Sequence, residues 1–434
     1  MGYREYRASG YRWVVLGVFS FLNLVIQLNW IAFAPITVEC ISLYNTTAFW
    51  ILFLSMSFMA VYLVVSVPAS ILIERLGIRA GVGIGAVLMG LFGYLRGVFA
   101  QDLTMTILMQ CGLAVAQPFI LNAITKVAAE WFPVDERATA AGIPTLAQFI
   151  GIVLAMAVTA PLAVGFMSES VTKLTLEAVR SALKVYGWIS VASSLLFLLL
   201  ARNGPTRSAS SKPAGETIGA FDGIRFLFTR RDMVLLLVLF FLGLGIFNTI
   251  TTFIDLILAQ KGYLVGGNEA GNVGAGMLIA GIIGAIVLPI ISDKVKKRRG
   301  ILVVCLAGLI PGLVGLTFFR EFMLLMISST VFGFFLMGAA PVGFQYAAEV
   351  SRPAPESTSQ GMILLSGQVS GILFIVLMAL FGNVTVQALA DARSATDSIT
   401  LTPFMIVFIV LAVMNLVLGI LLRESPVIVL NDKE

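Results

Sequence analysis

Among its 434 residues the chain has no histidine. That absence removes the side chain most used for acid–base catalysis near neutral pH, together with His-ligated metal and His-ligated haem within this chain. Its three cysteines, Cys40, Cys111 and Cys305, are too few and too scattered for a disulfide framework or a metal motif. Charge is scarce as well, at 12% of residues, against about 25% in ordinary soluble domains. No Cys or Ser nucleophile is paired with a base and no acidic metal motif stands out, which disfavours a membrane-embedded enzyme such as a lipid transferase. No cofactor, metal or nucleic-acid partner is expected.

What the chain does have is apolar surface. The hydrophobic fraction is 59%, above the roughly 45–50% of soluble domains. It falls into runs of about 20 or more residues, each long enough to cross the hydrocarbon as a helix. Spans are predicted over 12–36, 47–73, 79–100, 104–128, 138–165, 183–201, 233–259, 271–292, 300–319, 321–347, 357–382 and 400–422. A β-barrel would alternate in short segments instead, so the expected fold is an all-α membrane protein of twelve transmembrane helices. The first span is too long and too polar-faced for a cleavable signal peptide and is expected to be retained.

Arg12, Arg75, Arg79, Arg137, Arg202, Arg231 and the run Lys294 to Arg299 flank one side of this arrangement. The other side carries only Lys173, Arg180, Lys184, Lys261, Arg320 and Arg393. The positive-inside rule then places both termini in the cytoplasm of a multi-pass protein of the cell (inner) membrane, as an even number of spans requires.

The one long Ser/Pro/Gly-containing polar segment, residues 201–223, halves the chain and reads as a linker. The expected units are 1–200, a cytoplasmic linker over 201–232 with a short amphipathic helix near "FDGIRFLFTRRD", and 233–434. The halves repeat. Glu74 and Asp293 are 219 residues apart (293 − 74), as are Glu130 and Glu349 (349 − 130), and Gln148 and Gln368 are 220 apart (368 − 148). Three pairs at nearly one offset make this a duplicated six-plus-six arrangement.

That arrangement, with "ERLGIR" between spans two and three, resembles the major facilitator superfamily, whose signature loop usually has Asp where Glu74 stands. The resemblance implies two pseudo-symmetric six-helix bundles. Physically, an acid and bases at helix ends can form salt bridges that hold a cytoplasmic gate shut and break as the halves rock. Glu74, Arg75, Arg79, Glu130, Arg137, Asp293, Lys294, Glu349 and Arg352 are the candidate gate residues.

Polar side chains at membrane depth must face a cavity or a partner. Asn23, Gln27 and Trp30 share one helical face of span one, next to Asn29. Gln110 and Gln117 share a face of span four, Gln148 lies mid-span five, Asn248 and Asp255 share a face of span seven, and Gln368 lies mid-span eleven. Arg96, in "FGYLRGV", is the one base well inside a span, close enough to the outer surface to snorkel. Amides and an indole with few fixed charges suit a small zwitterion or an amine held by cation–π contact, whereas an anion carrier needs Arg or Lys at its binding centre.

The stretches "AQPFILNAITKVAAEWF" (116–132) and "MGAAPVGFQYAAEVSRPAPESTSQG" (337–361) resemble the feline leukaemia virus subgroup C receptor-related transporters, a family of choline and ethanolamine carriers also linked to haem export. The resemblance implies that Trp30, Gln117 and Gln368 surround a choline-type ammonium. Where the family has a further aromatic on helix seven and a glutamine before the helix-one aromatic, this chain has Asn248 and Asn29.

The expected function is secondary active or facilitative transport of a small polar organic solute by alternating access. Trp30, Gln117, Gln368, Asn248, Gln27, Asn29 and Gln148 are the expected substrate residues, and Asp255 and Arg96 the candidate coupling-proton or anion sites. The competing reading is a carrier of monocarboxylates, other organic anions, haem or drugs on the same fold. The expected partners are the small-molecule substrate, the lipid bilayer and a coupling proton, with the chain working as a monomer.

Overall fold

The computed structural model describes residues 10–36, 40–41, 43–46, 48–133, 136–165, 175–204, 220–263, 268–381 and 401–425. Among these all regular structure is helical: α1 Tyr11–Trp30, α2 Ala48–Val98, α3 Leu103–Leu121, α4 Ile124–Trp131, α5 Arg137–Gly165, α6 Leu176–Leu200, α7 Ala220–Leu227, α8 Arg231–Ala259, α9 Asn268–Val295, α10 Arg298–Phe318, α11 Phe322–Val350, α12 Glu356–Phe381 and α13 Thr402–Ile420. Among the described residues eleven helical segments are long and apolar enough to cross a membrane. One of them, Phe53–Val98, has 46 residues, about 69 Å of helix at about 1.5 Å per residue, roughly twice the hydrocarbon thickness. It is two crossings, broken at Gly77, and the total is the predicted twelve.

Gly77 makes that break because its backbone sits at φ 77°, where any other residue costs about 1–2 kcal/mol. The break is held from outside. Asn203, just past α6, accepts the Arg79 N–H at 2.7 Å and so caps the second limb of α2. A Cβ on Gly77 would sit 3.0 Å from that same Asn203 Oδ1. Gly77→Ala is therefore expected to lower stability by about 1–2 kcal/mol, read as a fall of a few degrees in the unfolding temperature of the detergent-solubilised chain.

Most predicted boundaries agree with the helices to within a few residues, with three exceptions. Span four, predicted to run to 128, breaks after Leu121 and resumes as α4 at Ile124. Span six starts at Leu176 rather than 183, because Thr175 accepts the Ala178 N–H and nucleates a helix whose first turns, with Glu177, Arg180 and Lys184, are too polar for a hydropathy criterion. Span one stops at Trp30 rather than continuing to 36; a short 3-10 turn, Ala34–Ile36, follows.

The chain forms two compact units. The first comprises Met1–Ile224 together with Pro353–Gly361, so α1 to α6 are joined by the first residues of α12. The second comprises Arg225–Arg352 and Met362–Glu434, with α8 to α11, most of α12, and α13. The predicted amphipathic helix is α7; the linker residues 205–219 lie outside the described residues.

In the second unit α8 ends in a turn around Gly262 at φ 98°. There Lys261 donates to the Thr317 and Phe319 carbonyls at 2.9 and 2.8 Å, closing the C-terminal end of α10. Partial burial and the neighbouring Arg320 push the Lys261 ammonium down to about 8. A lysine depressed in the folded state binds fewer protons there than in the unfolded chain between about pH 8 and about 10.4. Stability attributable to Lys261 should therefore rise as pH climbs through that window. The check is the pH dependence of denaturant unfolding, whose upward slope should vanish in Lys261→Met.

Candidate functional site

The predicted polar stripe of α1 is real, but each of its residues has a specific partner in the first unit. Asn23, fully buried, accepts the Gln148 Nε2–H of α5 at 2.8 Å. Gln27 accepts the Gln117 Nε2–H of α3 at 3.1 Å. Trp30, half-buried, donates its indole N–H to the Ser55 carbonyl of α2 at 3.1 Å. The sequence placed these groups on one face of α1; the fold pairs that face rung by rung with α5, α3 and α2.

Two of the expected substrate or anion residues turn out differently. Asn29 is fully buried and committed: its amide donates to the Val25 carbonyl and to Ser190 Oγ, and its Oδ1 accepts from Arg96. Arg96 does not snorkel. It is 0% exposed and turned inward, donating to the Asn29 carbonyl at 2.9 Å, to Asn29 Oδ1 at 2.6 Å and to Gln110 Oε1 at 2.6 Å. Three acceptors at the point where α1 stops lie within hydrogen-bond reach of its guanidinium.

Gln117 differs from its neighbours. Its Nε2 is anchored on Gln27, while its Oε1 is buried and has no hydrogen-bond partner among the described residues. A buried acceptor without a donor costs about 1–3 kcal/mol. In the second unit Gln368, on α12, likewise has a buried Oε1 without a partner. Asn248, on α8, is half-buried and lies against Gly371 of α12, where a Cβ would come within 2.8 Å of its Nδ2. The side chain of Asp255 lies outside the described residues.

The predicted gate acids are also paired, each pair around one buried cation. In the first unit Glu74 and Glu130 share Lys126, at 2.6 and 3.3 Å. Glu74 also accepts from the Ser357 N–H at 3.3 Å and from the Ser357 hydroxyl, at the first turn of α12. Arg75 is exposed, Arg79 donates to the Leu198 carbonyl at the end of α6, and Arg137, buried, donates to the Ala129 and Phe132 carbonyls. In the second unit Asp293 and Glu349 share Arg298, while Lys294 and Arg352 are exposed. Gln345 and Ser425 complete the shell of Glu349.

Neither Lys126 nor Arg298 stood out in the sequence, yet the 219-residue offset relates both clusters. Arg298 corresponds to Arg79 (298 − 79) and Gln345 to Lys126 (345 − 126). Each half keeps the acid pair and supplies one buried cation, but from a different repeat position. The offset does not reveal these cations, since it carries Lys126 onto Gln345 and Arg298 onto Arg79; the local signal in the first half is the Lys126–Glu130 spacing of four.

A second missed group surrounds Asn122, between α3 and α4. Its Nδ2 donates to the Ser66 carbonyl and to Ser66 and Ser70 Oγ, and its Oδ1 accepts from Tyr62. Gly361, the last residue of α12 in this unit, packs so closely here that a Cβ would lie 2.5 Å from Ser70 Oγ. Thr125 meanwhile donates to Gln360 Oε1 and to the Glu356 carbonyl.

A family model described as Major Facilitator Superfamily matches residues 19–375 of the chain. The chain belongs to the Major Facilitator Superfamily. It is 30% identical over 395 residues to solute carrier family 49 member A3 of Xenopus tropicalis, covering 86% of this chain and 78% of that one. It is 28% identical over 393 residues to the human choline/ethanolamine transporter FLVCR2, covering 85% and 72%. The resemblance read from 116–132 and 337–361 is thus borne out over most of the chain. Among solved structures, the helices follow those of the Escherichia coli fucose:proton symporter with a TM-score of 0.67 at 15% identity, over 94% of this chain and 99% of that one. A proton:xylose symporter gives 0.73 at 13% identity, over 96% and 97%. At those identities the likeness establishes the major facilitator fold. This member of the superfamily is a multi-pass membrane transporter of small molecules.

Proposed function

We propose that this transporter carries a small amine or zwitterion of the choline or ethanolamine kind by alternating access. The observation that carries the reading is Gln117: an amide fixed through Gln27 that presents a buried, unpartnered acceptor oxygen. An ammonium or hydroxyl donor satisfies such an oxygen; a carboxylate would be repelled by it. Trp30, held by its indole N–H with its ring half-buried, supplies the π face such a cation needs. Gln368, whose repeat counterpart is Gln148, offers an orphaned acceptor of the same kind in the second half, and Asn248 is a further proposed contact. Gln148 and Gln27 act as lining that orients α1, and Asn29 serves structure instead of substrate. Relatives that are named choline/ethanolamine transporters support the substrate class.

In this reading the Glu74–Lys126–Glu130 and Asp293–Arg298–Glu349 clusters belong to a gate on the cytoplasmic side, where both termini also lie. Glu74 receives the first-turn N–H of α12 as well as Lys126, so its charge stabilises the positive end of that helix. Separating α12 from Glu74 is the step that opens the gate. Asp255 is the candidate for carrying a proton should transport be coupled.

A thermal-shift panel on purified protein tests the substrate class, with choline, ethanolamine, lactate, other organic acids and haem. A ligand at a hundredfold excess over its Kd stabilises by about 2.7 kcal/mol. Stabilisation by the amines that is lost in Gln117→Leu supports the proposal. Stabilisation by carboxylates and none by amines overturns it.

A further inference from the structure

Arg96 is a guanidinium buried at 0% exposure with no carboxylate in salt-bridge range among the described residues. Its oxygen partners are the end of a helix and two amides. The last carbonyls of α1 have no intrahelical donors, and α1 stops at Trp30. Arg96 donates to the carbonyl of Asn29 and to its Oδ1, so the partial negative charge of the helix terminus is its counter-charge. Phe33, just beyond the helix, faces the guanidinium with its ring centroid 5.7 Å away.

The third donation, to Gln110 Oε1 at 2.6 Å, has a consequence for Trp30. It fixes the amide of Gln110 so that Nε2 points at the Leu54 carbonyl, 3.1 Å away, and at the Asn29 and Trp30 carbonyls, each 3.5 Å away. Leu54 is the chain neighbour of Ser55, whose carbonyl holds the Trp30 indole. One amide thereby touches both the backbone from which the indole projects and the strip of α2 to which the indole is bound.

We infer that Arg96 and Gln110 are a clamp that positions Trp30: Arg96 orients Gln110, and Gln110 fixes the distance between the end of α1 and the Leu54–Ser55 carbonyls. Both are positioning residues, and the anion-site expectation for Arg96 gives way to this role. The geometry of the clamp stands without any ligand; its effect on transport rests on the reading of Trp30 as substrate-facing.

Gln110→Glu separates positioning from plain structural support. The carboxylate keeps an acceptor for Arg96 and gives it an ion pair, but it has no donor for the Leu54 and Trp30 carbonyls. The full chain is labelled with 5-fluorotryptophan and followed by fluorine NMR; the Trp30 resonance is assigned by its loss in Trp30→Phe, and the other four tryptophans serve as internal controls. The expected result is a shifted or exchange-broadened Trp30 line with the other lines unmoved, an unfolding temperature no lower than that of the parent, and about tenfold weaker choline binding. If Gln110→Glu does not fold, Gln110→Met, of similar length and without donor or acceptor, carries the same NMR readout. An unmoved Trp30 line in whichever of these folds overturns the clamp. A moved Trp30 line in a protein whose parent binds no amine upholds the clamp and refutes the substrate reading instead.

Discussion

Arg298→Met is expected to be the most destabilising single substitution outside the helix interfaces. Arg298, Asp293 and Glu349 have side-chain exposures of 1%, 7% and 1%, so removing the cation leaves two carboxylates facing each other with little water to screen them. Breaking a buried ion cluster from one side costs about 3–5 kcal/mol. That is large against a total folding stability of about 5–15 kcal/mol, and the variant should show a strongly lowered unfolding temperature and poor yield of folded protein in detergent. The repeat supplies the control. In the first half the shared cation comes from Lys126, whose counterpart is Gln345, and Gln345 already donates to Glu349 at 2.9 Å. Adding Gln345→Lys to Arg298→Met should recover about half of the lost stability, because the lysine then answers both acids as Lys126 does. A double variant no better than the single one would show that the two halves do not solve this electrostatic problem interchangeably.

The largest functional effect is expected at Trp30. A desolvated cation–π contact is worth about 2 kcal/mol or more, so Trp30→Ala should weaken uptake of choline-type substrates by at least about thirtyfold in a radiolabel assay, with Trp30→Phe intermediate because it keeps a ring but loses the N–H to Ser55. Trp50→Ala, at a ring already 45% exposed, should leave uptake unchanged. Equal losses at Trp30 and Trp50 would point to general damage and remove Trp30 from the binding site.

Much of the fold was legible because a bilayer imposes simple rules. A backbone that cannot hydrogen-bond to lipid must form helices of a set length, so hydropathy alone located the crossings. It failed where polarity and helicity part company: the charged first turns of α6 look like loop, and α1 ends at Trp30 inside an apolar run. The stop in α1 follows from donors supplied by Arg96 and Gln110, on helices distant in sequence.

The site was legible as a set of positions and illegible as a set of partners. Periodicity put Asn23, Gln27 and Trp30 on one face, but it gave no means of knowing that Gln148, Gln117 and Ser55 would meet them. Nor could it separate Asn29, whose amide is fully used, from Gln117, whose oxygen is left over. The acids of both clusters emerged from the 219-residue offset; their cations did not, since Lys126 and Arg298 occupy different repeat positions.

From the sequence alone came the twelve crossings, the duplication, the superfamily and the residue types at membrane depth, because those depend on composition and on the period of a single helix. Which amide is spent on structure and which is free, which base answers which acid, and what holds Trp30 in place were decided only by tertiary structure. Hydrogen bonds and ion pairs are short-ranged, and whether a polar group has a partner within about 3 Å depends on helices that the chain brings together from more than a hundred residues away, as with Asn29 and Ser190.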